Sequence, residues 1–224
     1  TIKQGNIFTS ECNTVVNPVN CQGVMGAGVA LEFKLRYPQM FERYQSLCKS
    51  KQIQIGKLWN YKIEPKSSSF EYILSLPTKD NWKMPSKLEY VEAALEKFVG
   101  TYKNSPYKGV AFPVLGGGRG GLDQSVVIDL MVRYLSACDI DIEIWQYQAD
   151  ATDDLYPVLE KAIAERPLEL IGQQIGITTR AWAKVYQAIQ SPKINSISAI
   201  GAEPGIGEKT IEKLITFCSE PGQE

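Results

Sequence analysis

Histidine is absent from all 224 residues, and that absence decides which chemistry stays open to the chain. The imidazole that most enzymes use as a general base is missing. Ser-His-Asp and Cys-His arrangements are therefore excluded, and so are metal sites built on imidazole. Catalysis is left to Lys, Asp, Glu, Cys, Tyr or a bound ligand. Two glycine-rich stretches then draw attention. Gly23, Gly26 and Gly28 precede a helical pattern that begins near Ala27, and Gly116-Gly117-Gly118-Arg119-Gly120-Gly121 follows an apolar run. Glycines ahead of a helix let bare backbone approach a ligand, and the unpaired amides of the first helical turn favour anions. The expected ligand group is a phosphate or diphosphate held by main chain. The spacing matches neither G-x-x-x-x-G-K-[ST] nor a regular G-x-G-x-x-G, and loops of this kind are often only tight turns.

Those loops need elements to hold them. Ile2, Ile7 and Phe8 around Gly5-Asn6 read as an opening strand and turn, and Thr14-Val15-Val16 as a short buried strand. The helix from Ala27 carries Val29, Leu31, Phe33, Leu35 and Tyr37. Pro38 breaks it or opens the next, where Met40, Phe41, Tyr44, Leu47 and Cys48 follow at helical spacing. Lys57–Ile63 and Phe70–Leu76 read as strands joined by a turn at Glu64–Ser69. Ser86 and Glu89 fit a capping box opening a helix whose buried stripe is Leu88, Val91, Leu95, Phe98 and Tyr102. Gly109–Leu115 is a buried strand, Asp123 can cap the helix that follows, and Ile140–Tyr147 is the last strong strand. Helices alternating with apolar strands argue for a mixed or parallel sheet covered on both faces. Its carboxyl-end loops gather along one edge. Asn17–Gly28, Lys79 and Gly116–Gly121 would then build one site.

From Asp150 the composition changes to acidic, strand-poor sequence. Leu155–Ala164, Thr178–Ile189 and Lys209–Phe217 read as helices, with Pro167, Pro192 and Pro204 between them. Residues 1–149 carry 17 Lys/Arg and 14 Asp/Glu, and residues 150–224 carry 7 and 11, so neither part has a strong basic excess. Hydrophobic content of 44% and charge of 22% are ordinary for a soluble protein. No run approaches 18 apolar residues, and the N-terminus lacks a signal pattern, so no membrane is expected as a partner. Cys12, Cys21, Cys48, Cys138 and Cys218 contain no C-x-x-C pair, which points to a reducing cytoplasm without disulfides. Neither a metal nor a cofactor is expected.

Val16-Asn17-Pro18-Val19-Asn20-Cys21 with Gly23-Val24-Met25-Gly26-Ala27-Gly28-Val29-Ala30 resembles the first ligand loop of a macro domain, the ADP-ribose-binding α/β module. Leu76-Pro77-Thr78-Lys79 with Trp82 resembles a second block, and Phe112 to Gly118 continuing to Gly121-Leu122-Asp123 a third. Together they resemble the branch of DarG-type DNA ADP-ribosyl glycohydrolase antitoxins and the related terminal ADP-ribose protein glycohydrolases. The resemblance implies a three-layer α/β/α macro domain with a mixed sheet over residues 1–149. A small all-helical domain is expected over 150–224. It also implies an ADP-ribose site formed by Asn6, Ile7, Asn20, Gly23, Val24, Met25, Gly26, Gly28, Val29, Leu115, Gly116, Gly117, Gly118, Arg119 and Gly120.

In that family pattern Asn20 contacts the distal ribose and Lys79 falls on the catalytic lysine, so the resemblance implies Lys79 and Asn20 as the catalytic residues. A lysine desolvated in a closed pocket has its pKa pulled down, which frees a nucleophile or base near neutral pH. Cys21 reads as a packing residue. Two departures stand out. Asn6 replaces the usual adenine-binding aspartate, so its oxygen would accept without charge assistance. Gly120 replaces an aspartate of the protein-directed relatives, which favours the DNA-directed branch. Trp82 and Arg119 are placed to stack on a base or touch a DNA phosphate, with rim covering as the alternative for Trp82.

Ala202 to Ile211 resembles half of a helix–hairpin–helix. Gly205, Gly207 and Lys209 either contact a DNA phosphate or belong to a plain packing turn. Three readings follow. The first is a glycohydrolase acting on ADP-ribosylated single-stranded DNA, at thymine, as antitoxin to a cognate ADP-ribosyltransferase toxin. The second is a hydrolase of ADP-ribose on protein carboxylates, and the third a non-catalytic ADP-ribose-binding module.

Overall fold

The computed structural model describes residues 1–64 and 70–219, so most of the expected Glu64–Ser69 turn lies outside the described residues. Among those described, six strands form one sheet: β1 (Ile2–Gly5), β2 (Thr14–Asn20), β3 (Trp59–Lys62), β4 (Tyr72–Lys79), β5 (Gly109–Pro113) and β6 (Asp141–Tyr147). Their order is β1-β6-β5-β2-β4-β3, and all pairs are parallel except β3 with β4. A mixed sheet with helices on both sides is thus present. One face buries Val16, Leu74, Leu76, Val110, Phe112 and Ile144 under α3 (Leu88–Thr101) and α4 (Gln124–Leu135). The other buries Val15, Val19, Ile73, Ala111 and Trp145 under α1 (Gly28–Arg36) and α2 (Pro38–Lys49). Alternate residues of each strand serve opposite faces, as the pleat requires.

Two prolines stand inside strands where a missing N–H costs little. β2 pairs with β5 only at Thr14 and Val15, so Pro18 lies where the two strands have already parted. β3 accompanies β4 only as far as Ser75, so Pro77 lies past its end. Strand β4 therefore runs on through Pro77 to Lys79, three residues beyond the sequence-based boundary at Leu76. Helix α3 begins later than expected. Its N-cap is Lys87 in extended conformation, no side chain caps it, and Leu88 is exposed rather than part of the stripe. The expected Ser86–Glu89 capping box does not form, because Ser86 is buried against the loop after β5 instead. Asp123 does cap α4, accepting from the amides of Ser125 and Val126 at 2.9 and 3.2 Å.

After β6 the chain is helical: α5 (Tyr156–Glu165), α6 (Leu168–Ile175), α7 (Thr179–Ile189), α8 (Ile197–Ala202) and α9 (Glu208–Ser219). Sequence periodicity missed α6 and α8, which are short and set close to Pro167 and Ala202-Glu203-Pro204. These helices share a core of Leu159, Ile171, Val185, Ile200 and Leu214, against which Leu35 of α1 packs. Arg36, at the end of α1, ties the two parts together. It pairs with Glu32 and Asp154 at 2.8 Å and with Asp153 at 3.5 Å, and its guanidinium lies 4.0 Å over the ring of Phe8. Asp153 is buried and also accepts from the amides of Leu155, Tyr156 and Ile197.

Candidate active site

The parting of β2 from β5 creates the site. The loop after β2 leads to α1 on one face, and the loop after β5 leads to α4 on the other. A crevice opens between carboxyl ends wherever successive loops leave in opposite directions. Lys79 stands at the end of β4, in register with Asn20 at the end of β2, and the amide of Cys21 bonds to its carbonyl at 3.1 Å. Its Nζ donates to the carbonyl of Arg119 at 2.8 Å. Across the crevice, Arg119 Cγ comes within 3.6 Å of where a Cβ on Gly28 would stand. The three sequence blocks that were expected to meet therefore converge on Arg119. Partial burial pulls the Lys79 pKa below the ordinary lysine value.

The first loop is held by Asn20. Its Nδ2 donates to the carbonyl of Val24 at 2.5 Å, and its Oδ1 accepts from the amides of Gln22 and Val24 at 2.9 and 3.3 Å. The hydroxyl of Tyr44 donates to the Asn20 carbonyl. Asn20 thus folds Gly23 to Met25 back over the strand end, and its amide is engaged within the loop. Met25 is buried beneath, while Gly23 and Gly28 adopt φ of +78° and +59°, which a side chain would disfavour. Gly26, Gly28 and Val24 line the loop's outer course towards α1.

The second loop wraps around Ser86. The Ser86 amide donates to the carbonyl of Gly120 at 2.9 Å, and the Leu122 amide to that of Gly116 at 3.1 Å. A Cβ on Gly120 would fall on the Gly116 carbonyl oxygen and lie 2.6 Å from its Cα. No side chain fits there, so the aspartate of the protein-directed pattern has no room. Ser86 escaped sequence reasoning because its spacing to Glu89 suggested a cap. Tyr44 escaped because it reads as an ordinary apolar position of α2.

Asn6 follows β1 and is buried. Its Oδ1 accepts from the amide of Phe8 at 3.1 Å, capping a single 3-10 turn at Ile7–Thr9, which settles the amide orientation. Its Nδ2 is buried without a partner among the described residues. The Phe8 amide takes one of the two lone pairs of the Asn6 oxygen, so the side chain keeps one acceptor position beside its unpartnered Nδ2 donor. Leu115 is fully buried below the second loop, so it supports the loop from within. Trp82 and Met84 form an apolar rim after Lys79, 47% and 59% exposed, with Lys83 Nζ 5.3 Å from the Trp82 ring centroid. Cys21 is half-buried, and burial together with Asp80 pushes its thiol up to about 11, which leaves it a poor nucleophile. All five cysteines are free. Gly205 and Gly207 are exposed at the turn before α9, and Lys209 is exposed in the first turn of α9.

A macro domain family model matches residues 16–131, and the chain belongs to the macro domain family. Within it the resemblance runs to the DarG branch. The chain is 37% identical over 145 residues to a DNA ADP-ribosyl glycohydrolase of Thermus aquaticus, covering 65% of this chain and 40% of that protein. The figures for a Mycobacterium tuberculosis protein of the same name are 37% over 146 residues, 65% and 41%. The chain thus spans about two-fifths of these relatives' length. Among solved structures, the macrodomain of Mycobacterium tuberculosis DarG matches with a TM-score of 0.61 and 36% identity, over 65% of this chain and 97% of that one. Thermosipho africanus DarTG in complex with ADP-ribose matches with a TM-score of 0.60 and 34% identity, over 65% and 42%.

Proposed function

We propose that this chain is an ADP-ribosyl glycohydrolase that removes ADP-ribose from a base of single-stranded DNA, thymine in the first instance. In that role it reverses the action of a DNA ADP-ribosyltransferase toxin. The observation that carries the reading is the position of Lys79, whose ammonium reaches from the end of β4 to the junction of the two glycine loops. The named relatives support the substrate class, as does the transferase–glycohydrolase fusion protein of Thermosipho africanus, 35% identical over 156 residues. The diphosphate would lie between Gly23–Gly28 and Gly116–Gly120, with adenine toward Asn6 and Ile7 and the distal ribose toward Asn20, Val29 and Lys79. The free Nδ2 of Asn6 suits a ring nitrogen of adenine, a lone-pair acceptor, better than its amino group.

In its neutral form Lys79 adds to C1″ of the distal ribose. The C1″–base bond breaks with its electron pair going to the base, which takes up the proton that the amine gives up. Water then displaces the lysine from C1″, so the net change is one water consumed, ADP-ribose released and the base restored. Trp82 offers a face for the departing base or its neighbour, and Arg119 and the Gly205–Lys209 turn offer contacts to DNA phosphates.

A second reading has a specific observation behind it. Lys79 and Asn20 are both engaged within the fold, as they would be in a module that binds ADP-ribose without turning it over. One assay separates the two: release of free ADP-ribose from a modified single-stranded oligonucleotide by wild type and by Lys79→Ala. Turnover by wild type with a loss of about 100-fold or more in the variant supports the enzyme, a size typical of losing a general acid–base or nucleophilic group. Calorimetric binding of ADP-ribose without turnover supports the module. Turnover confined to carboxylate-modified protein would point to the protein-directed chemistry, against which the crowding at Gly120 stands.

A further inference from the structure

Two successive carbonyls tie the second loop to the segment between β4 and α3. Lys79 Nζ donates to the carbonyl of Arg119 at 2.8 Å, and the amide of Ser86 donates to that of Gly120 at 2.9 Å. The first of these bonds stands against the chemistry proposed above. An amine committed to a carbonyl is not free to add to C1″, and a carbonyl oxygen facing the crevice repels a diphosphate. The second bond sits beside an unused group. Ser86 is buried, and its Oγ has no hydrogen-bond partner among the described residues. A buried hydroxyl without a partner destabilises the fold that holds it, and calls for a reason.

That hydroxyl lies against the pivot of the Arg119–Gly120 peptide. Ser86 Oγ is 2.5 Å from where a Cβ on Gly120 would stand and 3.2 Å from where one on Gly116 would stand. It is therefore within about 4 Å of the Gly120 Cα, one bond length further on. A trans peptide aims its C=O and N–H in opposite directions. Half a rotation of this peptide would carry the Arg119 oxygen off Lys79 and toward Ser86, and would aim the Gly120 N–H into the crevice. Gly120 permits the turn because it has no Cβ to restrict φ. Its own carbonyl stays fixed by the Ser86 amide, and its N–H gives up no hydrogen bond among the described residues.

We infer that Ser86 is a positioning residue for Lys79: its hydroxyl takes over the Arg119 carbonyl when the Arg119–Gly120 peptide turns to receive the ligand. This rests on the reading of Lys79 and the two glycine loops given above. Diphosphate favours the turned peptide, because an N–H then faces the anion in place of an oxygen. The same turn releases Lys79 beside the distal ribose. Once the ligand covers the crevice and excludes water, Ser86 is the donor left for the Arg119 oxygen. The bond from Lys79 to Arg119 is thus a latch, opened by the ligand on which Lys79 acts.

The test uses the full chain and does not depend on turnover. In crystals of the wild type with ADP-ribose, Ser86 Oγ should lie within hydrogen-bond distance of the Arg119 oxygen, with the Gly120 amide toward the diphosphate. Bound ADP-ribose with Lys79 still on the Arg119 carbonyl and Ser86 Oγ unpartnered would overturn the inference. Calorimetry and thermal unfolding of Ser86→Ala supply the second readout. The variant should bind ADP-ribose about 5-fold more weakly, the size of one lost hydrogen bond. Without ligand it should melt at or above the wild-type temperature, since the deleted hydroxyl had no partner there. A merely structural serine would do the reverse, and a lower melting temperature with unchanged affinity would also overturn the inference. Failure of the Lys79 reading shows separately. A wild type that turns the peptide on ADP-ribose but releases none from modified DNA would leave the exchange at Ser86 standing and remove the catalytic role of Lys79.

Discussion

Gly120→Ala is the sharpest test of how the second loop is built. The added Cβ would fall on the carbonyl oxygen of Gly116 and lie 2.6 Å from its Cα and 2.5 Å from Ser86 Oγ. The first two obstructions are backbone, so no rotamer change relieves them, and the loop must separate from itself or from Ser86. Overpacking of this kind costs about 1–3 kcal/mol. For a chain of this size that lowers the melting temperature by roughly 2–12 °C. If the displaced loop also loses its hold on diphosphate, the same energy reads as roughly 5- to 150-fold weaker binding of ADP-ribose. Two neighbours serve as controls. A Cβ on Gly118 meets nothing within 4 Å, so Gly118→Ala should leave stability within about 0.5 kcal/mol. Gly121 also has open space but a φ of +79°, so Gly121→Ala should cost about 1–2 kcal/mol through backbone strain alone. The measurements are thermal unfolding and calorimetry with ADP-ribose. Gly120→Ala melting with wild type, or no more destabilised than Gly118→Ala, would refute the packing argument and reopen the position to an aspartate.

Arg36→Met keeps most of the side-chain volume but leaves Glu32 and Asp153 buried without their cation. A loss of about 3–5 kcal/mol is expected, seen as earlier proteolytic release of residues 150–219. Unchanged protease resistance would count against Arg36 as the tie between α1 and the helical part. Because burial lowers the Lys79 pKa, the folded state holds fewer protons than the unfolded one just below 10.5, and stability should rise with pH in that window. If Lys79 acts as a neutral amine, kcat/KM rises with pH along a limb below 10.5, and a flat profile would exclude that role. Cys21→Ser should retain turnover, and iodoacetamide at neutral pH should leave the wild type active, since the thiol titrates near 11. Inactivation by that reagent would put a cysteine into the chemistry. Asn6→Asp exchanges the free donor for an acceptor and should change the preference between adenine and hypoxanthine in the ligand base by several-fold. Equal effects on both would remove Asn6 from base recognition.

Much of this was legible in the residues themselves. The missing histidines narrowed the chemistry, and the two glycine runs marked the two loops that the fold brings together at Arg119. The alternation of apolar strands with helices implied a covered sheet, and Asp123 lies one residue ahead of its helix as a capping carboxylate should. These are local features, set by side-chain type and backbone freedom over a few residues. What the sequence withheld depends on contacts between distant segments. Pro18 and Pro77 look like strand breakers until the sheet shows that neighbouring strands have already left them. Ser86 looks like a helix cap until the loop after β5 is seen wrapped around it. Asn6 is an amide in the chain, and only the fold shows that the Phe8 amide bonds to its oxygen while its Nδ2 is buried without a partner among the described residues. Spacing along a chain encodes periodicity and turns. It does not encode which buried group already has a partner, and that is what decides the roles of the residues at this site.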